Sequence, residues 1–243
     1  MLMSNASKCL PIPLSQASDP PMNAFPFAIV GFDLDGTLLD THRDLGDAVN
    51  HALRSIGRPH VSADDVRGLV GGGSRLMLER ALTLTGGMEG IHLRELHALL
   101  LRYYEDNIAV HSRLYPGGEA MLDSLTERGA TLAVVTNKFE SLARKLLEEL
   151  GLADRFQTIM GGDTLGQGRA KPAPDLLLEM VARCGGGRAA YVGDTTYDTR
   201  AAQAAGIPCV AVSFGFNDLA PEELGADAVI DHFDDLVPAL ERL

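Results

Sequence analysis

Six short apolar runs, several rich in β-branched residues, alternate with amphipathic segments between Ala28 and Ile230, and few folds accommodate that rhythm. The runs are Ala28–Asp33, Thr131–Thr136, Thr158–Met160, Ala189–Val192, Pro208–Val212 and Ala228–Ile230. Helical periodicity occupies Gly118–Arg128, Ser141–Leu150, Pro174–Cys184 and Thr195–Ala205, the last stopped by Gly206 and Pro208. A strand buried on both faces is apolar throughout, and joining it to a parallel neighbour requires a crossover, which a helix supplies. Repeated units of this kind predict an α/β fold built on a Rossmann-like, doubly wound parallel sheet with right-handed crossovers.

One segment, from Thr41 to Arg113, breaks the rhythm by offering helical periodicity and no convincing strand. Leu45, Val49, Ala52, Leu53 and Ile56 recur at helical spacing until Gly57 and Pro59 end the run. Ser62 before Ala63-Asp64-Asp65 has the form of an N-cap with an acidic first turn. Leu76, Leu78, Ala81 and Leu82 supply another helix, and Leu93 to Ile108 a longer one. The chain is therefore expected to divide into a core of residues 27–40 and 114–243 and an inserted all-helical cap of residues 41–113, placed to close over the first strand's C-terminal turn. Residues 1–26 carry Pro11, Pro13, Pro20, Pro21 and Pro26 among small polar residues and read as a disordered arm. They lack the uninterrupted apolar core, roughly 7–15 residues long, of a secretory signal.

The chemistry gathers where strands end. Phe32-Asp33-Leu34-Asp35-Gly36-Thr37 sets two carboxylates two residues apart at the abrupt close of an apolar run. In open parallel sheets ligands bind beyond the carboxyl ends of the strands, so this spacing suits magnesium-dependent phosphoryl transfer, against the plainer reading of a solvated turn. Val135-Thr136-Asn137 ends a second strand with a hydroxyl and an amide, able to donate to a phosphate oxygen or to cap the following helix. Lys171-Pro172-Ala173-Pro174-Asp175 places an ammonium just before a proline-fixed helix start. Gly193-Asp194-Thr195-Thr196-Tyr197-Asp198 ends a further strand with one carboxylate and adds another four residues on, the oxygen chemistry that Mg²⁺ favours.

Charge narrows the partners. Lys and Arg number 21 against 33 Asp and Glu, and the formal charge of −12 argues against nucleic acid as a partner and against long-range steering of anions. An anionic substrate must then be held by a metal ion, a lysine or main-chain N–H groups. Cys9, Cys184 and Cys209 are odd in number and widely spaced, signalling neither a disulfide framework nor a zinc site. No apolar run approaches the ~20 residues of a membrane span, and a cytoplasmic protein with no membrane partner is expected. The seven histidines show no His-x-x-x-His spacing and are expected on the surface or at caps.

Asp33, Asp35, Thr136, Lys171, Asp194 and Asp198, in this order and each at a strand or helix boundary, resemble the four motifs of the haloacid dehalogenase superfamily of phosphohydrolases. The likeness spans roughly residues 28–233, and the insertion at 41–113 occupies the place of that superfamily's first cap type. Gly71-Gly72-Gly73-Ser74-Arg75, Tyr115-Pro116-Gly117, Val135-Thr136-Asn137-Lys138 and Lys171-Pro172-Ala173-Pro174-Asp175 are similar, more narrowly, to bacterial phosphoglycolate phosphatases.

The resemblance implies that Asp33 attacks phosphorus to form an aspartyl-phosphate and that Asp35 serves as acid and then base. It implies Mg²⁺ on the Asp33 carboxylate, the Asp35 carbonyl and Asp194, with Thr136 and Lys171 on the phosphoryl oxygens and Asn137 as a further donor. Asp198 is expected to pair with Lys171 or to order metal-bound water rather than ligate directly. Arg75, from the glycine-rich turn, is the candidate for a substrate carboxylate. A small anionic phosphate ester is the expected substrate, 2-phosphoglycolate foremost, handled by a monomer or homodimer. The alternatives are a sugar or amino-sugar phosphate such as N-acetylmuramic acid 6-phosphate, pyrophosphate, a β-phosphoglucomutase-like transfer, or a non-catalytic phosphate-responsive module.

Overall fold

The computed structural model describes residues 25–243, so the proposed arm at 1–26 lies, but for Phe25 and Pro26, outside the described residues. In chain order the elements begin with β1 (Ile29–Phe32) and β2 (Leu39–Asp40), followed by four helices: α1 (His42–Ser55), α2 (Ala63–Arg67), α3 (Ser74–Leu84) and α4 (Leu93–Asp106). Then come β3 (Arg113–Leu114), α5 (Gly118–Glu127), β4 (Thr131–Val135), α6 (Glu140–Glu149), β5 (Thr158–Met160) and α7 (Asp175–Arg183). The chain ends with β6 (Ala189–Gly193), α8 (Thr196–Ala205), β7 (Cys209–Val212), β8 (Ala228–Ile230) and α9 (Leu236–Leu240).

β1 is central because its neighbours cover both of its edges. The six-stranded sheet runs β5-β4-β1-β6-β7-β8 with every pairing parallel. The six apolar runs read from the sequence are these six strands, each within one residue of its expected bounds. Residue alternation sends Ile29, Ala133, Val135 and Tyr191 to the face covered by Leu176, Leu177 and Met180 of α7 and by Ala201 and Ala202 of α8. It sends Val30, Phe32, Leu132, Val134 and Val192 to the other face, against α5, α6 and α9. At Gly31 a β-carbon would stand 2.3 Å from Met180 Sδ, so the glycine lets the Met180 side chain of α7 lie directly on the strand.

Register decides where the chemistry falls. Phe32 is level with Val134 of β4 and Val192 of β6, so Asp33, Thr136 and Asp194 emerge together at one end of the sheet. α1 to α4 stack over that end, burying Leu45, Val49, Ala52 and Leu53 of α1 against Leu96, Leu100 and Tyr104 of α4. Each leucine or valine among them contributes roughly 1.5–3 kcal/mol on full burial. Ser62 accepts from Asp65 N as the expected N-cap of α2. The periodicity reading missed the antiparallel ribbon of β2 and β3, where Leu39 pairs with Leu114 and Asp40 with Arg113 as the chain leaves for the helices and returns. Strands of two residues carry no periodic signal.

Candidate active site

Asp33 follows β1 directly, and its N–H donates to Val192 O at 2.9 Å, which pins it beside the end of β6. The turn after it is tight for a steric reason. Gly36 has φ +88°, and a β-carbon there would meet Asp194 Oδ2 at 2.4 Å. Asp194 is fully buried; Thr37 Oγ1 donates to its Oδ1 at 2.8 Å and Phe216 N to its Oδ2 at 2.7 Å. Asp198, at the start of α8, gathers Thr195 N, Thr195 Oγ1 and Asp194 N on Oδ2.

Lys171 completes this centre from the loop before α7. Its ammonium donates to Asp198 Oδ1 at 2.6 Å and to Tyr191 Oη at 2.9 Å, and stands 2.9 Å from Asp33 Oδ1, with its side chain 1% exposed. Tyr191 in turn donates to Val135 O at 2.6 Å. Asp198 thus pairs with Lys171, one of the two arrangements expected of it. Burial works against the Lys171 charge, but Asp198 and Asp33 outweigh it and hold the ammonium above the ordinary lysine range.

Three buried carboxylates therefore cluster beside one ammonium, which contacts two of them, Asp33 and Asp198. Oxygens of Asp33, Asp194 and Asp198 lie within 4.8 Å of one another. Desolvation pushes the Asp33 carboxyl up to about 6, with Lys171 pulling it down and Asp198 adding to the rise. Asp194 is driven well above the usual carboxylate range by burial and then by Asp198 and Asp33. Asp33 Oδ1, although beside Lys171, is not aligned to accept a hydrogen bond from it and has no other donor. A divalent cation fits this uncompensated charge and these unfilled oxygen lone pairs.

Asp35 lies two residues on in different company. Thr41 Oγ1 donates to its Oδ1 at 2.8 Å, and Lys138 Nζ reaches both carboxylate oxygens at 2.9 and 2.8 Å. Lys138 also faces the Tyr104 ring, 4.5 Å from its centroid. Burial opposes its charge, and Asp35 and Tyr104 outweigh that too. Thr136 is buried and accepts from Lys138 N, which leaves its own hydroxyl hydrogen to donate; α6 starts four residues later, so Thr136 is not that helix's cap.

Between the sheet end and the helices lies a closed pocket of about 40 Å³. Asp33, Asp35, Thr136, Asn137 and Lys138 line one wall, and Leu45, Val70, Met77, Leu100, Leu101 and Tyr104 the other. A haloacid dehalogenase-like hydrolase family model matches residues 30–212, a span that takes in all of these catalytic-edge segments. The chain belongs to that family. It is 41% identical over 218 residues to a phosphoglycolate phosphatase of Agrobacterium fabrum, covering 88% of this chain and 92% of that protein. It is 42% identical over 219 residues to one of Mesorhizobium japonicum, covering 88% and 96%. Among solved structures, a predicted phosphoglycolate phosphatase from Haemophilus somnus superposes with a TM-score of 0.81 at 28% identity, covering 88% of this chain and 97% of that one. The protein is thus an enzyme, a hydrolase similar to phosphatases that act on small phosphate esters, with an acidic cluster able to hold a metal ion.

Two of the expected site residues stand apart in this hydrolase. Asn137 spends both side-chain amide hydrogens on main-chain carbonyls, Gly71 O and Lys171 O, each at 3.0 Å, so its side chain ties the glycine turn to the lysine loop and has no N–H left for a phosphate. Arg75 lies outside the closed pocket. Its side chain is 73% exposed, its Nε donates to Glu79 one turn along α3, and it borders an open groove of about 400 Å³ beside Gly162, Asp163 and Gln167. Conversely, Lys138 and Tyr104 belong to the site although composition and periodicity gave them no role; a lysine two residues beyond the Thr136 strand end was the available signal. His111 is exposed, and its main-chain N–H, like Ser112 N, donates to Asp44. No helix among the described residues is long and apolar enough to cross a membrane.

Proposed function

We propose that this hydrolase is a Mg²⁺-dependent phosphomonoesterase that converts 2-phosphoglycolate to glycolate and phosphate. The carrying observation is the buried Asp33–Asp194–Asp198 cluster around a single ammonium, with Asp35 two residues away beneath a helical layer. The names of the relatives support the substrate. Asp33 Oδ2 attacks phosphorus, the P–O ester bond breaks, and the departing alkoxide takes a proton from Asp35. Asp35 then removes a proton from water as that water attacks the aspartyl-phosphate and regenerates Asp33. Asp33, Asp194 and the Asp35 carbonyl would hold Mg²⁺, whose charge counters the repulsion between an anionic nucleophile and an anionic ester.

Thr136 and Lys171 bind the phosphoryl oxygens; Lys171 meanwhile fixes the Asp33 carboxylate, and Asp198 fixes Lys171. The helical segment 41–113 acts as a cap: about 40 Å³ admits roughly three waters, so an ester enters only when the helices lift from the sheet end. The test is phosphate release from 2-phosphoglycolate, a sugar phosphate, an amino-sugar phosphate and pyrophosphate, with Mg²⁺ and with a chelator. The highest kcat/KM for 2-phosphoglycolate, abolished by the chelator, is expected. Release from another ester alone overturns the substrate, and release that ignores the chelator overturns the metal.

A further inference from the structure

Resting on the 2-phosphoglycolate reading, we infer that Lys138 Nζ and Tyr104 Oη form the subsite for the substrate's carboxylate. A substrate with two anionic ends needs cationic or donor groups for each. Lys171 is already assigned to the phosphoryl group, is held by Asp198, Tyr191 and Asp33, and does not line the closed pocket. Arg75 points away to Glu79 in the open groove. Among the described residues that line the closed pocket, Lys138 carries the one cationic side chain, and Asp35 is its one ion-pair partner.

Tyr104 supplies the second and independent observation. It is 2% exposed, lines the same pocket, and its hydroxyl has no hydrogen-bond partner. A buried hydroxyl left unpaired is costly, and natural structures keep such groups where a ligand or water satisfies them. Its ring already faces the Lys138 ammonium. A carboxylate entering beside both would accept a charge-assisted hydrogen bond from Lys138 and a second from Tyr104.

The reach fits the ester. In 2-phosphoglycolate the carboxylate oxygens lie roughly 3 Å from the ester oxygen, three bonds away along the chain. Asp35 is the group that serves the ester oxygen, and Lys138 Nζ is 2.8 Å from Asp35 Oδ2. An ammonium so placed can pass from Asp35 to the carboxylate with little movement. The exchange leaves Asp35 held by Thr41 and turned toward the leaving group. An ester with a neutral tail provokes no such exchange, and Lys138 keeps Asp35 engaged. Because Tyr104 sits on α4 and Lys138 follows β4, the carboxylate also bridges the helices to the sheet.

The experiment compares 2-phosphoglycolate with 2-hydroxyethyl phosphate, which replaces the carboxylate by a hydroxymethyl group, on the full-length protein with Mg²⁺. The wild type should prefer 2-phosphoglycolate by roughly a hundredfold in kcat/KM, and Lys138→Met should collapse that ratio to within a few-fold. Tyr104→Phe removes one oxygen and should cut the ratio by about tenfold while leaving the melting temperature unchanged or raised, since it deletes an unpaired buried hydroxyl. If Lys138→Met does not fold, Tyr104→Phe decides. Equal losses on both esters in Lys138→Met, or an unchanged ratio in Tyr104→Phe, would overturn the subsite and leave the 2-phosphoglycolate reading standing. A wild type that prefers the hydroxyethyl ester would overturn both.

Discussion

Two lysine–aspartate pairs stand at the same end of the sheet, and they are built from different parts of the chain. Lys171 meets Asp33, Asp198 and Tyr191, all carried by β1, β6 and the start of α8, and is sealed at 1% exposure. Lys138 meets a single carboxylate, Asp35, which leans on Thr41 at the head of α1, and it faces Tyr104 of α4. The first pair is over-determined by the sheet. The second leans on the helices stacked over that end. A charge with three fixed partners cannot change them cheaply, whereas a charge with one partner in a pocket can. The first centre therefore suits what every phosphate ester shares, and the second suits what distinguishes one ester from another.

Substitutions at the two aspartates should separate the centres most clearly. Asp33→Asn removes the attacking oxygen, and turnover of every ester should fall by on the order of 10⁴-fold or more. Undiminished phosphate release in that variant would remove Asp33 from the mechanism. Asp35→Asn should cost about 10²- to 10⁴-fold on alkyl esters. Its effect should shrink on an aryl phosphate, whose leaving group departs without a proton; the same loss on both would contradict its role as the acid.

Stability should divide along the same line. Lys171→Met leaves the buried Asp33 and Asp198 without their ammonium and should destabilise the metal-free protein by about 3–5 kcal/mol, with Mg²⁺ recovering part of the loss. Lys138→Met leaves Asp35 with Thr41 and 11% of its side chain exposed, so its cost should stay under about 2 kcal/mol. Urea midpoints with and without Mg²⁺ measure both. A reversed order would mean that Lys138 is the structural pair.

Acidity in the first centre has its own signature. Burial raises Asp33 from 3.8 to about 6 and raises Asp194 as well, so the metal-free fold binds more protons than the unfolded chain. The stability Asp33 contributes is complete below about pH 4 and is lost as pH rises through about 6, and Asp194 adds a loss in the same direction. Metal-free protein should lose stability over that interval, and Mg²⁺ should flatten the decline. By the same logic Asp33→Asn should stabilise metal-free protein at pH 7 by about 1–2 kcal/mol, a rise of roughly 3–6 °C in melting temperature. A fall instead would show that Asp33 mainly serves to anchor Lys171.

The contrast also explains what could be read in the chain. Asp33, Thr136, Lys171, Asp194 and Asp198 each close a strand or open a helix, and parallel register carries such ends to one edge, so their meeting followed from the alternation of elements. The surroundings of Lys138 did not follow, because Thr41 and Tyr104 reach the Lys138–Asp35 pair only when α1 and α4 pack over that edge, and packing between elements leaves no period in sequence. Tyr104 passed for one more apolar position of α4. Asn137 looked like a phosphate donor, but its partners are carbonyls 66 and 34 residues away, a pairing that only the fold discloses.

Arg75 offers the smallest expected effect and a direct challenge to the subsite. Its guanidinium is largely in water and its Nε is engaged by Glu79, an exposed pair that contributes little. Arg75→Ala should therefore change kcat/KM by less than about threefold on either ester and stability by no more than about 0.5 kcal/mol. The open groove beside Arg75 nevertheless adjoins the closed pocket, since Gly73, Ser74, Asn137 and Phe139 border both. If lifting the helices merges the two spaces, the arginine could swing toward a bound carboxylate. A loss of tenfold or more on 2-phosphoglycolate, with none on 2-hydroxyethyl phosphate, would move carboxylate recognition from Lys138 to the groove and reduce the Lys138–Asp35 pair to a brace for the acid.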